Sequence, residues 1–96
     1  MYKDKTILIT GGTGSLGKAL TKYIVENFKD IKKLIIFSRD EQKQFQMAQE
    51  YPSDQYPFLR FFIGDVRDKE RLERAFKGDD YIIHTAAMKH VHIVEY

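Results

Sequence analysis

A glycine-rich turn near the beginning of the chain constrains the fold more than any other stretch. Residues 6–10 are mainly apolar and lead directly to glycines at positions 11, 14 and 17, which gives the spacing G-x-x-G-x-x-G. Apolar residues at helical spacing follow, so the pattern predicts a strand, a tight turn and a helix. Open N–H groups at the N-terminus of such a helix attract an anion. Gly11, Gly14 and Gly17 therefore predict a site for the pyrophosphate of a dinucleotide.

The glycines alone leave two other interpretations open. One is an ordinary tight connection between a strand and a helix. The other is a nucleoside triphosphate loop, because residues 12–19 read G-x-x-x-x-G-K-A. Such a loop needs a hydroxyl for Mg²⁺ after the lysine, and Ala19 has none, so Lys18 is predicted to be a solvated helix residue. A second strand that ends about 20 residues further on favours the dinucleotide.

Composition narrows the class of protein. The 96 residues carry a net charge of +2 from 16 basic and 14 acidic side chains, with no long run of one sign. We therefore expect neither a nucleic-acid partner nor a membrane partner. The lack of cysteine excludes disulfides and thiolate metal sites and is compatible with a reducing compartment. With no targeting or membrane-spanning pattern, the sequence predicts a soluble cytoplasmic protein.

Strand and helix patterns alternate along the chain. Strand segments fall at residues 5–10, 33–37, 58–63 and 81–84, and short helical connections between them impose parallel pairing. The predicted fold is α/β, a doubly wound parallel sheet with strand order 3-2-1-4. Helical spacing predicts that the buried stripe of the first helix is Leu16, Ala19, Leu20, Tyr23, Ile24 and Phe28.

Polar residues mark the ends of the other two helices. Ser38 and Glu41 have the spacing of a capping box, which predicts that the second helix starts there. Asp68 is predicted to cap a third helix that runs to Lys77, with Gly78 as its stop. These signals put the start of each helix close to the end of a strand.

The tip of the second strand discriminates between dinucleotides. An acidic residue there accepts from the ribose hydroxyls of NAD, whereas a 2′-phosphate needs donors and cations. The sequence has Ser38 and Arg39 at this tip, and Lys43 follows about one helical turn later. NADP is therefore favoured over NAD. Asp40 either accepts from a ribose hydroxyl or lies in the first turn of the helix, where a negative charge is stabilising.

Further candidates lie at the same edge of the predicted sheet, where ligands of open α/β sheets bind. Asp65 is predicted to accept from an adenine amino group with Val66 against the ring, or to be an ordinary loop residue. Thr85 and Ala86 follow the fourth strand. Lys89 either reaches a ribose or a sugar hydroxyl with its ammonium group or is an ordinary surface lysine.

Three histidines raise the question of a metal. His90 and His92 share one side of the chain if the segment is extended, and Glu95 is the one convincing further ligand. Metal sites of this kind need three or four protein ligands. We therefore predict no metal site and interpret His84 as a strand-end residue.

These blocks resemble the extended short-chain dehydrogenase/reductase family, and within it the inverting UDP-N-acetylglucosamine 4,6-dehydratases of pseudaminic acid synthesis. The resemblance rests on residues 7–15, 38–41, 62–68 and 86–91 and runs nearly from end to end. It implies that residues 1–96 are the N-terminal part of a Rossmann-type NADP-binding domain, without the substrate domain. It also implies a pyrophosphate site formed by Thr13, Gly14, Ser15 and Leu16.

The same resemblance assigns the rest of the cofactor and a reaction. It assigns Ser38, Arg39 and Lys43 to the 2′-phosphate. Asp65 and Val66 are assigned to adenine, and Thr85 and Lys89 to the ribose and substrate side. In such enzymes NADP⁺ takes a hydride from sugar C4, water leaves across C5 and C6, and the hydride returns to C6 with C5 inverted. The product is a 4-keto-6-deoxy sugar nucleotide made from a UDP-sugar. Polysaccharide biosynthesis, flagellin glycosylation and a homo-oligomer are implied as well.

Two departures from the family pattern matter. His92 stands where the family usually carries proline, which loosens that loop. The family's Tyr-x-x-x-Lys and Asp-Lys pairs lie downstream of Tyr96, so no catalytic residue is assigned in this chain. We expect the 96 residues alone to be inactive and, with residues 81–84 as an open sheet edge, prone to associate. The alternatives are another NADP-dependent sugar-nucleotide epimerase or reductase, or a non-catalytic NADP-binding module.

Overall fold

The computed structural model of the protein describes residues 3–85, which form one parallel sheet with helices on both faces. In chain order the elements are β1 (Thr6–Thr10), α1 (Ser15–Asn27), β2 (Lys33–Ser38), α2 (Glu41–Glu50), β3 (Leu59–Ile63), α3 (Lys69–Phe76) and β4 (Tyr81–His84). The strands predicted from the sequence agree with these bounds to within one residue.

β1 lies inside the sheet. The strand order is β3-β2-β1-β4 with every pair parallel, which confirms the predicted order. Thr10, the last residue of β1, lies opposite Phe37 of β2 and His84 of β4. All five residues of β1 are buried. A strand that is covered on both faces is largely apolar throughout, which explains why residues 6–10 do not alternate with polar residues.

Two apolar clusters fill the space between the sheet and its helices. The larger cluster joins β1 and β2 to α1 and α2 and includes Ile9, Ile24, Ile36 and Met47. The smaller cluster lies on the opposite face, against α3, and consists of Leu8, Phe37, Ala75 and Ile82. Both clusters contain side chains of β1 and β2, so these two strands are held from both sides.

The buried face of α1 differs from the predicted stripe. The buried residues are Gly17, Thr21, Ile24 and Val25. The prediction was wrong for three exposed residues, namely Leu16, Ala19 and Tyr23. Gly17 determines which face is buried, because it packs against Gly12 of the turn. Thr21 can be buried on the same face because its hydroxyl donates to Gly17 O at 2.8 Å. Close approach to the turn, rather than hydrophobicity, therefore decides which side of the helix is buried.

Aspartates cap the second and third helices. The Asp40 carboxylate accepts from Lys43 N at 2.9 Å, and Asp68 caps α3 in the same manner. The cap at Asp68 confirms the sequence prediction. The predicted capping box of Ser38 and Glu41 is wrong, because Ser38 is still the last extended residue of β2 and leaves the cap position to Asp40. None of the helices within residues 3–85 is long and apolar enough to cross a membrane.

One carboxylate oxygen in the connection between α3 and β4 is buried. Asp79 Oδ2 has no hydrogen bond to any other residue that the structure describes. Burial, and secondarily the adjacent Asp80, raise the pKa of Asp79 from 3.8 to about 6. The unfolded chain releases this proton at lower pH than the folded chain does. The fold therefore loses stability as the pH rises from about 4 to about 6 and does not regain it at higher pH.

We expect Asp79→Asn to raise the free energy of unfolding at pH 8 by about 1 kcal/mol, a figure that allows for solvent screening of a half-buried group. The gain is expected to shrink toward pH 4, where the wild-type carboxyl is protonated in the folded state. Urea denaturation at both pH values measures this. Asp54→Asn, which removes an exposed carboxylate from a loop, is the control. An equal gain at both pH values would contradict the charge explanation.

Candidate functional site

The carboxyl ends of β1, β2 and β3 surround a cavity of about 590 Å³. This volume lies within the range of small-molecule sites, about 300–1,000 Å³. Every predicted cofactor residue within residues 3–85 lines this one cavity: Gly11, residues 13–17, residues 38–40, Lys43, Asp65, Val66 and Thr85. The structure thus brings together segments that are separated by as many as 74 positions in the chain.

The glycine turn is fastened to the end of β2. Gly11 has a φ of +68°, a conformation that glycine adopts without steric cost. Its N–H donates to Phe37 O at 2.8 Å, so the hydrogen-bond ladder between β1 and β2 continues into the turn. Gly14 N then donates to Gly11 O at 3.1 Å and closes the turn. The N-terminus of α1 is held in a fixed position at the cavity as a result.

α1 begins without a side-chain cap. Its N-cap residue is Gly14, whereas the other two helices within the described range are capped by aspartates. The first turn of α1 also contains no acidic residue. A helix N-terminus carries unpaired N–H groups and a partial positive charge. This wall of the cavity therefore presents donors that no side chain at the helix start neutralises, and it suits an anion such as a pyrophosphate.

Gly14 and Gly17 differ in what the protein itself requires of them. A Cβ on Gly17 would lie 2.5 Å from Gly12 Cα, so the helix can approach the turn only because position 17 has no side chain. A Cβ on Gly14 would meet only Gly11 O, at an ordinary 3.5 Å. The packing of the chain thus demands a glycine at position 17 and not at position 14. Because Gly14 lines the cavity, a side chain there would compete with a ligand.

The tip of β2 presents donors. The Arg39 side chain is 73% exposed, and Lys43 is exposed one turn into α2. The Ser38 side chain is buried at the foot of the same wall. Asp40, the next residue along the chain, serves as the cap of α2, where its Oδ1 accepts from Lys43 N. A ligand at this tip meets two cations and a hydroxyl, and the Asp40 carboxylate is already engaged as a helix cap.

Asp65 is held by a neighbour in the loop after β3. Its Oδ1 accepts from Arg67 N at 2.9 Å, and its Oδ2 accepts from Arg67 Nη2 at 2.8 Å. These hydrogen bonds hold the pKa of the Asp65 carboxyl well below its usual range. Arg39 Nη1 lies 3.6 Å from Asp65 Oδ2 across the cavity, a distance and exposure at which an ion pair contributes little. Most of the acceptor capacity of Asp65 is therefore occupied, while Val66 beside it is 47% exposed.

The end of β4 is tied to the glycine turn. The Thr85 hydroxyl donates to Thr10 O at 2.6 Å, so its proton serves the fold. His84 Nδ1 lies 2.9 Å from Thr10 Oγ1, and the His84 ring packs edge-on against Phe76. Burial lowers the pKa of His84. These contacts agree with the interpretation of His84 as a strand-end residue.

Some residues considered in the sequence analysis lie away from this cavity or outside the described part of the chain. Lys18, the lysine of the rival triphosphate pattern, is exposed and does not line it. Ala86 and Lys89 lie outside the described residues, as do His90 and His92 of the metal hypothesis. Within residues 3–85 no group of three His, Asp or Glu side chains is placed to hold a metal ion.

The sequence interpretation missed two residues that shape the site. Arg67 holds Asp65, and its position two residues further along the same loop is the signal that was available. Gln44 is buried beneath Ser38 and donates to it. No local signal indicates Gln44, because a glutamine in a polar helix normally faces water.

Comparison with known proteins agrees with this geometry. Residues 7–96 match the family described as polysaccharide biosynthesis protein. The whole chain is 58% identical to the UDP-N-acetylglucosamine 4,6-dehydratase (inverting) of Campylobacter jejuni and 47% identical to a UDP-glucose 4-epimerase of Rickettsia bellii. The chain spans 28% of the length of each of these relatives.

A solved structure resembles the chain as well. The X-ray structure of Pen from Bacillus thuringiensis aligns over 94% of this chain and 28% of its own, with a TM-score of 0.81 and 40% identity. The alignment covers nearly the whole chain and supports the Rossmann-like fold. The predicted resemblance to inverting dehydratases is confirmed at the level of sequence similarity. The chain therefore belongs to the polysaccharide biosynthesis protein family.

Proposed function

We propose that this chain binds NADP and is the N-terminal cofactor-binding part of a sugar-nucleotide dehydratase. The observation that carries the proposal is the open N-terminus of α1, which faces the same cavity as Arg39 and Lys43. The start of α1 lacks an acidic residue at one wall of the cavity, and two cations lie at another wall. Together these two walls match a ligand with two separate anionic groups. A dinucleotide with a pyrophosphate and a 2′-phosphate is such a ligand.

The residues of the cavity suit the parts of NADP in order. The turn from residue 13 to residue 16 and the helix start would hold the pyrophosphate. Ser38, Arg39 and Lys43 would hold the 2′-phosphate, because a guanidinium, an ammonium and a hydroxyl are donors to phosphate oxygens. NAD-binding sites instead carry an acid that is free for the ribose hydroxyls, and Asp40 is occupied by its helix cap.

The loop after β3 would hold the adenine. Val66 offers an exposed apolar surface for one face of the ring. Asp65 is the proposed acceptor for the amino group, through the capacity that Arg67 leaves to it. Thr85, Ala86 and Lys89 are proposed for the ribose and substrate side, and Lys89 also for the sugar nucleotide.

The reaction proposed for the whole protein is dehydration of a UDP-sugar to a 4-keto-6-deoxy sugar nucleotide. NADP supplies the reversible acceptance of a hydride when it is bound. The residues described here bind and orient it, and none of them is assigned a catalytic role. The cytoplasmic location, the homo-oligomer and the link to pseudaminic acid and flagellin glycosylation stay predictions from the sequence and its resemblance.

An epimerase is the second candidate, because a UDP-glucose 4-epimerase is 47% identical to this chain over 98 aligned positions. Incubation of the protein at its full natural length with UDP-N-acetylglucosamine or with UDP-glucose separates the two. Formation of a 4-keto-6-deoxy product supports the dehydratase. Interconversion of the C4 epimers without loss of water supports the epimerase. Absence of both reactions would favour a module that binds NADP without catalysis.

We expect Arg39→Ala to weaken NADP binding about tenfold or more and to leave NAD binding nearly unchanged, because a charge-assisted contact contributes about 1.5–3 kcal/mol. Calorimetric titration with each dinucleotide measures both affinities. Arg74→Ala removes an exposed arginine of α3 that does not line the cavity and is the matched control. Equal affinity of the wild type for NAD and NADP, or an unchanged preference in Arg39→Ala, would contradict the assignment.

A further inference from the structure

Gln44 is a buried amide at the junction of two strand ends. It lies on α2 with 4% of its surface exposed. Its Nε2 contacts Ser38 O at 3.2 Å and Phe62 O at 3.1 Å, which are backbone carbonyls of β2 and β3. The same atom lies 2.9 Å from Ser38 Oγ. One side-chain nitrogen thus contacts three oxygens beneath the tip of β2.

The chemistry of the partners fixes which way these hydrogen bonds run. Carbonyl oxygens can only accept, so the atom between Ser38 O and Phe62 O must be the amide nitrogen and not the amide oxygen. An amide nitrogen can only donate. Ser38 Oγ is therefore the acceptor in its contact with Gln44. The single proton of the Ser38 hydroxyl is left for another partner.

Ser38 lines the cavity, on the wall that it shares with Arg39 and Lys43. A hydroxyl that already accepts from inside the protein turns its proton toward an acceptor elsewhere. An ionised phosphate oxygen can only accept, so it suits this hydroxyl. We propose that Gln44 is a positioning residue for cofactor selection, which makes the Ser38 hydroxyl a donor to the 2′-phosphate. This inference rests on the proposed function.

A merely structural role for Gln44 leads to a different expectation. The amide also joins β2 to β3, and a loss of that connection would disturb every ligand of the cavity alike. Control of the Ser38 proton affects only ligands that carry the 2′-phosphate. The quantity that separates the two roles is the ratio of the affinities for a 2′-phosphorylated and an unphosphorylated ligand.

The experiment compares adenosine 2′,5′-bisphosphate with adenosine 5′-phosphate, titrated by calorimetry into the protein at its full natural length. The variants are Gln44→Met, which keeps the length of the side chain without its hydrogen bonds, Ser38→Ala, and the double variant. We expect each single variant to lower the ratio of affinities about tenfold or more, the worth of one hydrogen bond to a charged group. The double variant should lower it no further, because both changes remove the same donated proton.

An unchanged ratio in Gln44→Met, or additive losses in the double variant, would overturn the role of Gln44. If Gln44→Met does not fold, the test rests on Ser38→Ala, and an unchanged ratio there overturns the inference equally. A wild type without preference for the 2′-phosphorylated ligand would instead contradict the proposed NADP binding itself. The failure of the proposed function and the failure of this inference are thereby distinguished.

Discussion

Gly14→Val is expected to lower the affinity for the dinucleotide about a hundredfold or more while the fold stays intact. A Cβ at this position meets only Gly11 O at an ordinary distance, so the packing of the protein itself does not demand a glycine here. The ligand does demand one, because the pyrophosphate has to approach the N-terminus of α1 against the backbone of the turn. A steric penalty of about 3 kcal/mol corresponds to this loss of affinity.

The measurement is a titration with NADP, with circular dichroism to follow the fold. Lys18→Val introduces the same side chain one turn further along α1, at an exposed position outside the cavity, and controls for the lower helix propensity of valine. We expect this control to bind NADP as the wild type does. Retained binding in Gly14→Val would contradict the close approach of the pyrophosphate.

Gly17→Ala is expected to lower the free energy of unfolding by about 3 kcal/mol or more. Helix propensity alone predicts the opposite sign, because alanine in a helix is more stable than glycine by about 0.5–1 kcal/mol. The new Cβ, however, would lie 2.5 Å from Gly12 Cα and 2.6 Å from Gly12 O. Backbone atoms in a turn tied to two strands cannot give way as a flexible side chain does, so overpacking dominates.

Chemical denaturation measures this effect, and Gly14→Ala is its matched control. The control makes the same chemical change three residues earlier, where no close contact arises. We expect it to change the unfolding free energy by less than about 1 kcal/mol. A Gly17→Ala variant as stable as the wild type would mean that α1 is free to move away from the turn.

Much of the fold follows from local patterns in the sequence. The alternation of strand and helix segments with short connections leaves few topologies, and the predicted order is the one observed. The helix stripe of α1 could not be predicted in the same way. Which side of α1 is buried depends on the contact between Gly17 and Gly12 and on the hydrogen bond from the Thr21 hydroxyl to Gly17 O. A pattern of hydrophobic residues indicates neither interaction. Asp40 displaced the predicted cap for a similar reason, since β2 continues through Ser38.

The parts of the site that the order of the parallel strands brings together were predictable. Parallel strands gather their carboxyl ends at one edge, so the glycine turn and the tips of β2 and β3 had to meet there. Arg67 could have been assigned to Asp65 from its place two residues further along the same loop, but side-chain partners from distant parts of the chain were not predictable. Gln44 is the clearest case, because its burial depends on two carbonyls from different strands.

The end of β2 anchors the loops around the cavity through backbone groups. Phe37 O accepts from Gly11 N, and Ser38 O accepts from Gly64 N at 2.9 Å. The side chains at positions 39 and 43, by contrast, are exposed and contribute little to this framework. Under the proposed function, point substitutions at these two positions would alter nucleotide preference without an insertion, a deletion or a change in the backbone. Cofactor choice would then be an evolvable property of the scaffold and a practical target for engineering.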